Sequence, residues 1–575
     1  MSERIYKGSE RLFKATKFNN LKEMIVNTKE KYGDKTAFKF KSETDGTIST
    51  MTYDDYIEEV NSLGTALISI GLKDKRIGVI SENRYEWEEA YLSVVCGTGV
   101  VVPLDKSLPE NEIINLIERS EIEAIFYSSK YSEIMKRIKE EKVGNLQYFI
   151  SMDLEEKTDG FYSQKELVRI GKDLLNNGAR SFLDSTIDNN SMSIMLFTSG
   201  TTDKSKAVQL SHNNICTNIY DIASVFDIDE NDTFLSFLPL HHVFECSVGF
   251  LYPVSIGASI GFCKGIRHIA ENIKDYEVSI LISVPLLIEN MYKKIMEQIE
   301  KKGKLKTVKF GIGLSNILRV VGIDIRRKLF KEIHDSLGGK LRICVAGAAA
   351  FDPVAEKGFN DLGFRTYQGY GITETSPVIS AEHKEVFKLG SVGKLFPSVE
   401  AKIVNPNEMG IGEIAVRGES IMLGYYNRED SGLDKDGWFL TGDMGYFDLD
   451  EYLFITGRKK SVIVLKNGKN VYPEEIETLI NKLPGVKESF VFGKPEKDDP
   501  IDLKLCAEIV YDKEKFNSEN IDEIKEIIWK NIKENVNKSM PTYKYIKEII
   551  ITEEELIKTT TLKVKRHEEI KKVLK

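Results

Sequence analysis

A run of hydroxyl residues, one glycine and two lysines directly follows an apolar stretch of the sequence. The apolar stretch is 192–197, and the polar run is Thr198-Ser199-Gly200-Thr201-Thr202-Asp203-Lys204-Ser205-Lys206. Glycine lets the backbone approach a ligand, hydroxyl and amide groups donate to phosphate oxygens, and lysine adds positive charge. The pattern favours a loop that wraps a polyphosphate, with a Ser/Thr-rich surface turn as the alternative. The common nucleotide loop, glycine, four residues and Gly-Lys-Ser/Thr, is absent.

Three further stretches could supply parts of a nucleotide site. The strand predicted at 341–345 runs into 346–350, whose small residues would let a flat ring lie against the backbone. The next strand, 364–368, ends in a glycine-rich turn with Glu374, whose carboxylate suits Mg²⁺; a tight loop with an exposed glutamate is the alternative. Asp443 and Arg458 follow glycines in predicted turns and could hold a ribose diol, or form an ordinary surface ion pair.

Paired histidines follow a predicted strand that begins at Thr233. The stretch reads Leu238-Pro239-Leu240-His241-His242. Adjacent side chains on extended backbone point to opposite sides, so we expect at most one histidine to face a given cleft. The other would have a structural or surface role.

The composition describes an ordinary globular protein of more than one domain. The chain has 575 residues, 41% hydrophobic and 29% charged residues, and a formal net charge of -9. The acidic balance argues against a general nucleic-acid binder but not against small anionic ligands. The six cysteines are scattered without a C-x-x-C pair, which fits a reducing cytoplasm. The N-terminus is too polar for a signal peptide, and no apolar run is long enough to cross a bilayer.

Short strands and helices alternate along the first part of the chain, which predicts a mostly parallel α/β sheet. Predicted helices lie at 20–32, 52–68, 87–95, 109–120 and 213–225, and predicted strands at 36–40, 76–80, 97–103 and 124–127. We expect 144–190 to form strands and loops, and 390–457 to form a small β-rich subdomain. Beyond Lys460 the sequence becomes rich in lysine and glutamate, so we place a boundary between domains 1–459 and 460–575 there.

Lysines and arginines alternate with apolar residues between Lys301 and Phe330. A basic amphipathic patch that touches a membrane surface would have this pattern. A helix with a solvated charged face would have it too. The two interpretations predict a weakly membrane-peripheral protein and a soluble one, and the sequence indicates no oligomeric state.

Taken in chain order, the motifs resemble the AMP-forming acyl-CoA synthetase (adenylate-forming ligase) superfamily. They are the loop 198–206, Leu238–His242, Tyr370–Glu374, Gly437–Asp443, Gly457–Lys460 and Lys563, and the resemblance extends from about Leu21 to the C-terminus. One motif alone would be weak, but coincidence explains an ordered set poorly. The resemblance implies an α/β fold: a large N-terminal domain of stacked mixed or parallel sheets with helices and a β-rich subdomain, then a small mobile α+β domain.

The resemblance also implies that the protein activates a fatty acid with ATP and Mg²⁺ and passes it to coenzyme A. The residues it assigns are as follows: Thr198, Ser199, Gly200, Thr201, Thr202 and Lys206 at the phosphates; Gly347, Ala348, Ala349, Gln368, Gly369 and Tyr370 around adenine, with Gly371 beside them; Thr373 at the α-phosphate; Glu374, with Thr201, at Mg²⁺; Asp443 and Arg458 at the ribose above Ile455; His242 between the acyl and thiol channels; and Lys563 at the carboxylate and α-phosphate.

In this family the small C-terminal domain rotates about a residue that matches Lys460. The rotation withdraws Lys563 and brings the loop around Gly468 and Lys469 to the site, which opens a path for the thiol of coenzyme A. The resemblance therefore implies one site that serves two half-reactions.

The chain departs from the family pattern at two places. In the phosphate loop, Asp203, Ser205 and Ala207 replace a glycine, a proline and a glycine, and an aspartate near a triphosphate is electrostatically unfavourable. Thr561-Leu562-Lys563 replaces Thr-Gly-Lys, a form that resembles the long-chain fatty-acid branch, as does the segment 316–352. Transfer to a carrier-protein thiol and a non-catalytic, ligand-binding relative are the alternatives.

Overall fold

The computed structural model describes residues 4–42, 45–198, 205–466, 469–496, 503–558 and 564–574. Within these ranges the strands form sheets of eight, nine, five, three and two strands. The two largest sheets, the eight-stranded and the nine-stranded sheet, share one apolar core that includes the buried Tyr53, Trp87 and Phe234. They are the framework on which the motifs lie.

The eight-stranded sheet carries both strands that flank the predicted phosphate loop. Met192–Thr198 and Lys206–Ser211 pair antiparallel, with Thr198 opposite Lys206. A parallel group of strands continues the sheet beyond Met192–Thr198. In spatial order the strands are Gly424–Tyr425, Lys206–Ser211, Met192–Thr198, Gly99–Pro103, Lys75–Ile80, Ala124–Tyr127, Tyr148–Ser151 and Tyr162–Ser163.

The nine-stranded sheet carries the predicted adenine residues, Glu374 and the histidine pair at or beyond the carboxyl ends of its parallel strands. The six central strands, from Arg365–Gly371 to Thr36–Lys41 in the order below, pair parallel, and the edges are antiparallel. The carboxyl ends of parallel strands are where ligands bind in open α/β sheets. In spatial order the strands are Lys394–Leu395, Val378–Ala381, Arg365–Gly371, Ile343–Ala346, Ile280–Ser283, Thr233–Ser236, Ser259–Phe262, Thr36–Lys41 and Ile48–Thr52.

Helices cover the faces of these sheets because each has an apolar side. The first is capped by Asn20, whose side chain accepts from the Glu23 amide, and buries Leu21, Met24 and Ile25. The α-helices up to the second domain are Leu21–Tyr32, Tyr53–Ser69, Tyr85–Ser93, Glu110–Ser120, Ser132–Glu141, Gln164–Asn176, His212–Val225, Tyr252–Ile256, Ile269–Asp275, Pro285–Lys301, Leu305–Val320, Arg326–Leu329, Lys331–Ser336 and Pro353–Asp361.

The five-stranded antiparallel sheet includes a strand from the start of the chain. Its strands in order are Ile5–Lys7, Val399–Val404, Gly412–Gly418, Phe439–Phe447 and Leu453–Arg458. The last part of the chain forms a small α+β unit of three strands, Val486–Pro495, Leu503–Tyr511 and Glu548–Thr552, a two-stranded ribbon, Ile463–Val464 and Asn470–Val471, and helices Pro473–Ile480, Ile521–Asn531 and Arg566–Val573. The predicted α/β fold class is confirmed.

One predicted region is wrong. We expected 144–190 to form strands and loops, but Gln164–Asn176 is a helix of 13 residues. Ser163 caps it by accepting from the Glu166 amide, a Ser-x-x-Glu signal present in the sequence. The helix packs on Tyr53–Ser69, where a Cβ atom on Gly171 would lie 1.8 Å from the Ser62 carbonyl oxygen. Glycine at this position is therefore what allows the two helices to touch.

No helix in the described ranges is both long and apolar enough to span a bilayer.

We predict that Gly171→Ala lowers the thermal unfolding midpoint. Overpacking of this kind costs about 1–3 kcal/mol. Gly313→Ala is the matched control, because Gly313 is also inside a helix but has no atom within 4 Å of an added Cβ. The control should raise the midpoint slightly, since alanine favours helix by about 0.5–1 kcal/mol. Calorimetry of both variants checks this, and equal shifts would contradict the close contact.

Candidate active site

Tyr425 connects two of the predicted site residues. Its hydroxyl donates to Glu374 Oε1 at 2.8 Å, and Lys206 Nζ lies 4.3 Å from the centre of its ring. Lysine over an aromatic face is a favourable contact, and the hydrogen bond fixes the carboxylate. Lys206 and Glu374 are therefore neighbours although 168 positions separate them in the sequence.

The short strand Gly424–Tyr425 brings Tyr425 to this place. It pairs with Lys206–Ser211, with Tyr425 opposite Val208. The Met422 amide, just before the strand, donates to the Glu374 carbonyl at 2.9 Å. The backbone thus ties the turn that carries Glu374 to the strand that follows the phosphate loop.

The fixed carboxylate of Glu374 fits a Mg²⁺ ion. Mg²⁺ takes oxygen ligands and is usually held by one or two carboxylates together with substrate phosphates. Glu374 offers such an oxygen next to the ammonium group of Lys206. The proposed second ligand, Thr201, lies outside the described residues.

Arg119 holds the end of the phosphate loop, and the sequence alone did not reveal it. Its guanidinium donates to Ser205 Oγ at 2.9 Å and also to the Ser205 carbonyl oxygen. It also lies 5.3 Å from the ring of Phe197, at the other end of the loop. Ser205 replaces the family's proline, and this contact gives the serine hydroxyl a structural role.

Asp443 is a buried carboxylate bound from two sides. Its side chain is 6% exposed; Tyr370 Oη donates to Oδ2 at 2.7 Å, and Arg458 Nε lies 2.8 Å from Oδ1. We expected Asp443 and Arg458 in turns, and this is wrong: they are opposite each other on the paired strands Phe439–Phe447 and Leu453–Arg458. Register pairing, which turn signals in the sequence do not encode, brings them together.

The predicted adenine residues lie at the ends of two adjacent parallel strands. Gly347 and Ala348 follow Ile343–Ala346, and Ala348 has a positive φ of 73°. A Cβ atom on Gly347 would lie 2.8 Å from the ring of Phe244, so glycine permits this contact. The other predicted residues on these elements are Ala349, which is exposed, Gln368, which is buried, and the half-buried Gly369, Tyr370 and Gly371.

The paired histidines do not alternate as expected, which corrects the prediction of one histidine per cleft. Strand Thr233–Ser236 ends before them, and the His242 amide donates to the Pro239 carbonyl in a turn. Their rings are 4.2 Å apart, and His241 Nε2 lies 3.3 Å from Asp105 Oδ1. Burial raises the pKa of Asp105, but the contact with the imidazole of His241 outweighs burial and lowers the pKa of Asp105 to about 2. One nitrogen or oxygen from each of these three residues could also reach a single metal ion.

An apolar cavity of about 60 Å³ lies beside the strand ends. Its lining includes Gly347, Ala348 and Gly371 from the predicted nucleotide site. From there it follows Val345 within the sheet and reaches Phe226 after helix His212–Val225. Phe244, Pro377 and Val378 also contribute to the lining. Apolar side chains form most of this lining, as is usual in small-molecule sites.

Two buried glutamates lie behind Gln368. Glu382 accepts from the Gln368 amide at 3.1 Å and from the Lys388 amide at 2.9 Å. Burial and the neighbouring carboxyl of Glu356 raise the pKa of Glu382 to about 10. Two carboxyl groups this close cannot both ionise easily, so Glu382 keeps its proton at neutral pH.

The other predicted residues have the following positions. Thr198 ends its strand, Thr373 lies in a 3₁₀ turn with Glu374, and Ile455 is half-buried on Leu453–Arg458. Lys460 is in the 3₁₀ turn Lys459–Ser461, and Lys469 Nζ lies 4.4 Å from the ring centre of Tyr543. Outside the described residues are Ser199, Gly200, Thr201, Thr202, Asp203, Gly468 and Lys563.

The described residues on both sides of Lys563 are held in place. Lys558 Nζ lies 2.6 Å from Glu488 Oε2, and Lys558 forms a β-bridge with Val564. Arg566 lies 2.5 Å from Glu477 Oε2. These contacts attach both ends of the segment that carries Lys563 to the C-terminal unit.

Comparisons with known proteins agree with this arrangement. A model of the AMP-binding enzyme family matches residues 26–426, and a model of the AMP-binding enzyme C-terminal domain matches residues 460–573. Because the first match spans most of the chain, the protein belongs to the AMP-binding enzyme family. The predicted resemblance to the long-chain branch of AMP-forming acyl-CoA synthetases is confirmed by the relatives that follow.

Fatty acyl-CoA synthetase B of Dictyostelium discoideum is 29% identical, over 95% of this chain and 88% of that protein. Long-chain-fatty-acid–CoA ligase 1 of Homo sapiens is 28% identical, over 77% of this chain and 68% of that protein. Among solved structures, the anthranilate CoA ligase AuaEII in complex with anthranoyl-AMP has a TM-score of 0.77 at 19% identity, covering 97% of this chain and 98% of its own. A Mycobacterium tuberculosis fatty acyl CoA synthetase has a TM-score of 0.64 at 21% identity, covering 97% of each chain. These structures support the fold.

We predict that Tyr425→Phe weakens the use of Mg²⁺-ATP. The substitution keeps the ring under Lys206 but removes the hydrogen bond that fixes Glu374, and a bond to a charged group contributes about 1.5–3 kcal/mol. We expect kcat/KM for Mg²⁺-ATP to fall about tenfold or more. Tyr426→Phe is the matched control, since the adjacent hydroxyl contacts the exposed Glu121 at 3.2 Å. If both variants behaved alike, Tyr425 would have no specific role.

A second prediction concerns pH and Glu382. Its folded pKa of about 10 lies above the ordinary 4.5, so the folded state keeps a proton that the unfolded state loses. The stability contribution of this proton is complete below about pH 4.5 and is lost as pH rises toward 10, by up to about 1.4 kcal/mol per unit. Glu382→Gln should remove that loss, so its thermal midpoint should exceed that of the wild type by more at pH 9 than at pH 5.

The exposed Glu385, three residues further on, provides the control for this experiment. Glu385→Gln should follow the wild-type pH dependence. Parallel midpoint-against-pH curves for Glu382→Gln and the wild type would show that Glu382 is ionised in the folded protein.

Proposed function

We propose that this protein ligates a medium- or long-chain fatty acid to coenzyme A through an acyl-adenylate, consuming ATP and releasing AMP and pyrophosphate. Family membership supports the adenylate chemistry. The names of the relatives, fatty acyl-CoA synthetase and long-chain-fatty-acid–CoA ligase, support the choice of acid and thiol. The apolar cavity beside Thr373 and Glu374 is the structural observation that carries the proposal.

The lining of the cavity is what an alkyl chain requires. Its walls include the apolar side chains of Phe244, Val248 and Val345, so burying a methylene group there would contribute about 0.8 kcal/mol. Gly371, two residues before Thr373, is part of the lining. An acid with its chain in the cavity would therefore have its carboxylate near Thr373 and the α-phosphate of ATP.

In the first half-reaction a carboxylate oxygen of the acid attacks the α-phosphorus of ATP. The new O–P bond forms as the bond to the pyrophosphate oxygen breaks, so acyl-adenylate and pyrophosphate are the products. Anionic groups meet in this step, and positioning with charge neutralisation supplies most of the catalysis. Lys206 provides positive charge at the phosphates, and Asp443 and Arg458 hold the ribose. A Mg²⁺ ion held by Glu374 would neutralise phosphate charge.

In the second half-reaction the thiol of coenzyme A attacks the acyl carbonyl carbon. A C–S bond forms, the bond between acyl carbon and phosphate oxygen breaks, AMP leaves, and the thiol loses its proton. We assign the change between the two steps to rotation of the C-terminal domain about Lys460. In the conformation described here, Lys482 Nζ lies 3.1 Å from Asp352 Oδ1, next to the predicted adenine loop. That surface contact would break on rotation and is weak enough to do so.

Pyrophosphate release, measured with a panel of fatty acids with and without coenzyme A, tests the proposal. Release with fatty acids, and thioester formation on adding coenzyme A, are expected. Thioester formed only on a carrier protein would favour the alternative acceptor. No release with any acid would favour a non-catalytic relative, for which Asp203 and Ser205 are the sequence support.

We predict that Val345→Phe shortens the accepted acid. Val345 lines the cavity from the middle of the sheet, so a larger ring there would occupy chain space. Activity with palmitate should fall at least tenfold relative to activity with butyrate. Val354→Phe is the control, because Val354 is 60% exposed on a nearby helix. If the ratio of palmitate activity to butyrate activity in Val345→Phe equalled that of the wild type, the alkyl chain of the acid would bind elsewhere.

The two half-reactions give a further prediction. Lys563→Ala should impair adenylation far more than thioester formation from preformed acyl-adenylate, because the family role of this lysine is confined to the first step. Lys460→Pro should spare adenylation and block thioester formation, because proline fixes the φ angle that a hinge must change. Single-turnover assays of each step check both. Equal losses in both steps for Lys563→Ala, or a normal overall rate for Lys460→Pro, would contradict the assigned roles.

A further inference from the structure

Helix Leu305–Val320 and the turn after it expose a continuous apolar stripe. Phe310 is 74% exposed, Ile317 70% and Val321 69%, with Leu314 at 41% between them. The positions 310, 314, 317 and 321 follow the spacing that puts side chains on one helix face. Val320, next to the stripe, is 87% exposed. A contiguous exposed patch of this kind marks an interaction surface more often than scattered single residues do.

The opposite face of the same helix is already packed against the protein. Val308 and Ile312 contact the apolar cluster around Phe330, and Gly311 lies against Leu329 and Phe330. Asn316 donates to Asp361 at 3.3 Å. The helix is thus fixed in place by one apolar face, and the stripe is a second one directed outward.

Lysines and arginines are concentrated in the part of the chain that carries the stripe. Residues 301–331, which we call the basic segment, contain ten lysines and arginines and one aspartate, a net charge of +9. The whole chain carries -9. Lys306, Lys309 and Arg319 are exposed on the helix itself. An anionic partner would be attracted to this surface and repelled by the protein as a whole.

We propose that the stripe and the basic segment form a docking surface for an anionic lipid bilayer. The helix would lie in the plane of the membrane interface, with Phe310, Leu314, Ile317 and Val321 among the acyl chains. Lysines and arginines beside it would reach the phosphate groups, because their long side chains can extend toward the headgroups. The site is separate from the candidate active site, so it does not depend on the proposed function.

Two other occupants fit the surface less well. A symmetric dimer would place the same +9 segment of two chains against each other, and like charges at an interface are costly. An acidic protein would meet the charge but would also have to match the exposed stripe. A lipid bilayer supplies both partners: anionic headgroups for the lysines and arginines, and acyl chains beneath the headgroups for the apolar stripe.

Vesicle sedimentation with the full-length protein tests the proposal. Vesicles of phosphatidylcholine with phosphatidylglycerol should bind the protein at low salt, and vesicles of phosphatidylcholine alone should bind it at least tenfold less. Each lysine or arginine near an anionic surface contributes about fivefold in affinity. Salt screens this attraction, so binding should weaken as the salt concentration rises. A wild type that does not bind phosphatidylglycerol vesicles at low salt would overturn the proposal.

Two double variants separate the apolar and the electrostatic parts. Phe310→Ser with Ile317→Ser should reduce binding at least tenfold, and Lys306→Glu with Lys309→Glu should do the same and flatten the salt dependence. These side chains are exposed, so both proteins should keep the wild-type thermal midpoint. Binding equal to that of the wild type in either variant would overturn the assignment of this surface.

Helix Ile521–Asn531 provides matched controls, because it too exposes two isoleucines and two lysines. Ile521→Ser with Ile527→Ser, and Lys525→Glu with Lys530→Glu, should leave vesicle binding within about twofold of the wild type, as expected for charges and apolar groups that do not contact lipid. Equal losses in these variants would show non-specific binding. A lipid-free dimer that the Phe310→Ser, Ile317→Ser protein cannot form would assign the surface to a second copy of the chain and refute the lipid proposal.

Discussion

The buried carboxylate of Asp443 constrains the centre of this molecule. A carboxylate removed from water needs a charged or hydrogen-bonding partner. Tyr370 comes from the nine-stranded sheet, whereas Asp443 and Arg458 come from the five-stranded sheet. The hydrogen bond from Tyr370 to Asp443 therefore joins the two sheets at the candidate nucleotide site, and Arg458, two residues before the proposed hinge at Lys460, is paired with the same carboxylate. The chain that leads into the C-terminal domain is therefore anchored by Arg458 just before Lys460.

The sequence predicted local structure well where periodicity and caps act over a few residues. The helix after Asn20, the strand Lys75–Ile80 and the strand Ala124–Tyr127 were all expected within a residue or two of their observed bounds. The helix Gln164–Asn176 was missed although Leu167, Gly171 and Leu174 recur at helical spacing and Ser163 provides a cap signal.

Much of the candidate site could be located from the order of its motifs, but its connecting residues could not. Tyr425 contacts Glu374 from a different sheet, Arg119 contacts Ser205 from a helix, and Asp105 reaches His241 from another strand end. No local pattern marks such residues, because their roles arise only when distant segments meet. The histidine turn was missed for a related reason: extended backbone was assumed up to His242, whereas the strand ends at Ser236.

The uneven charge of the chain also affects how the protein moves toward a charged surface. The basic segment carries +9 and the rest of the chain therefore -18, so the centres of positive and negative charge are displaced from each other. Near an anionic bilayer this separation produces a torque that turns the basic segment forward before any atom touches. The torque acts within about 10 Å at 0.1 M salt and about 30 Å at 0.01 M. In the proposed docking, the asymmetry would set orientation and arrival rate, and the apolar stripe would set residence time.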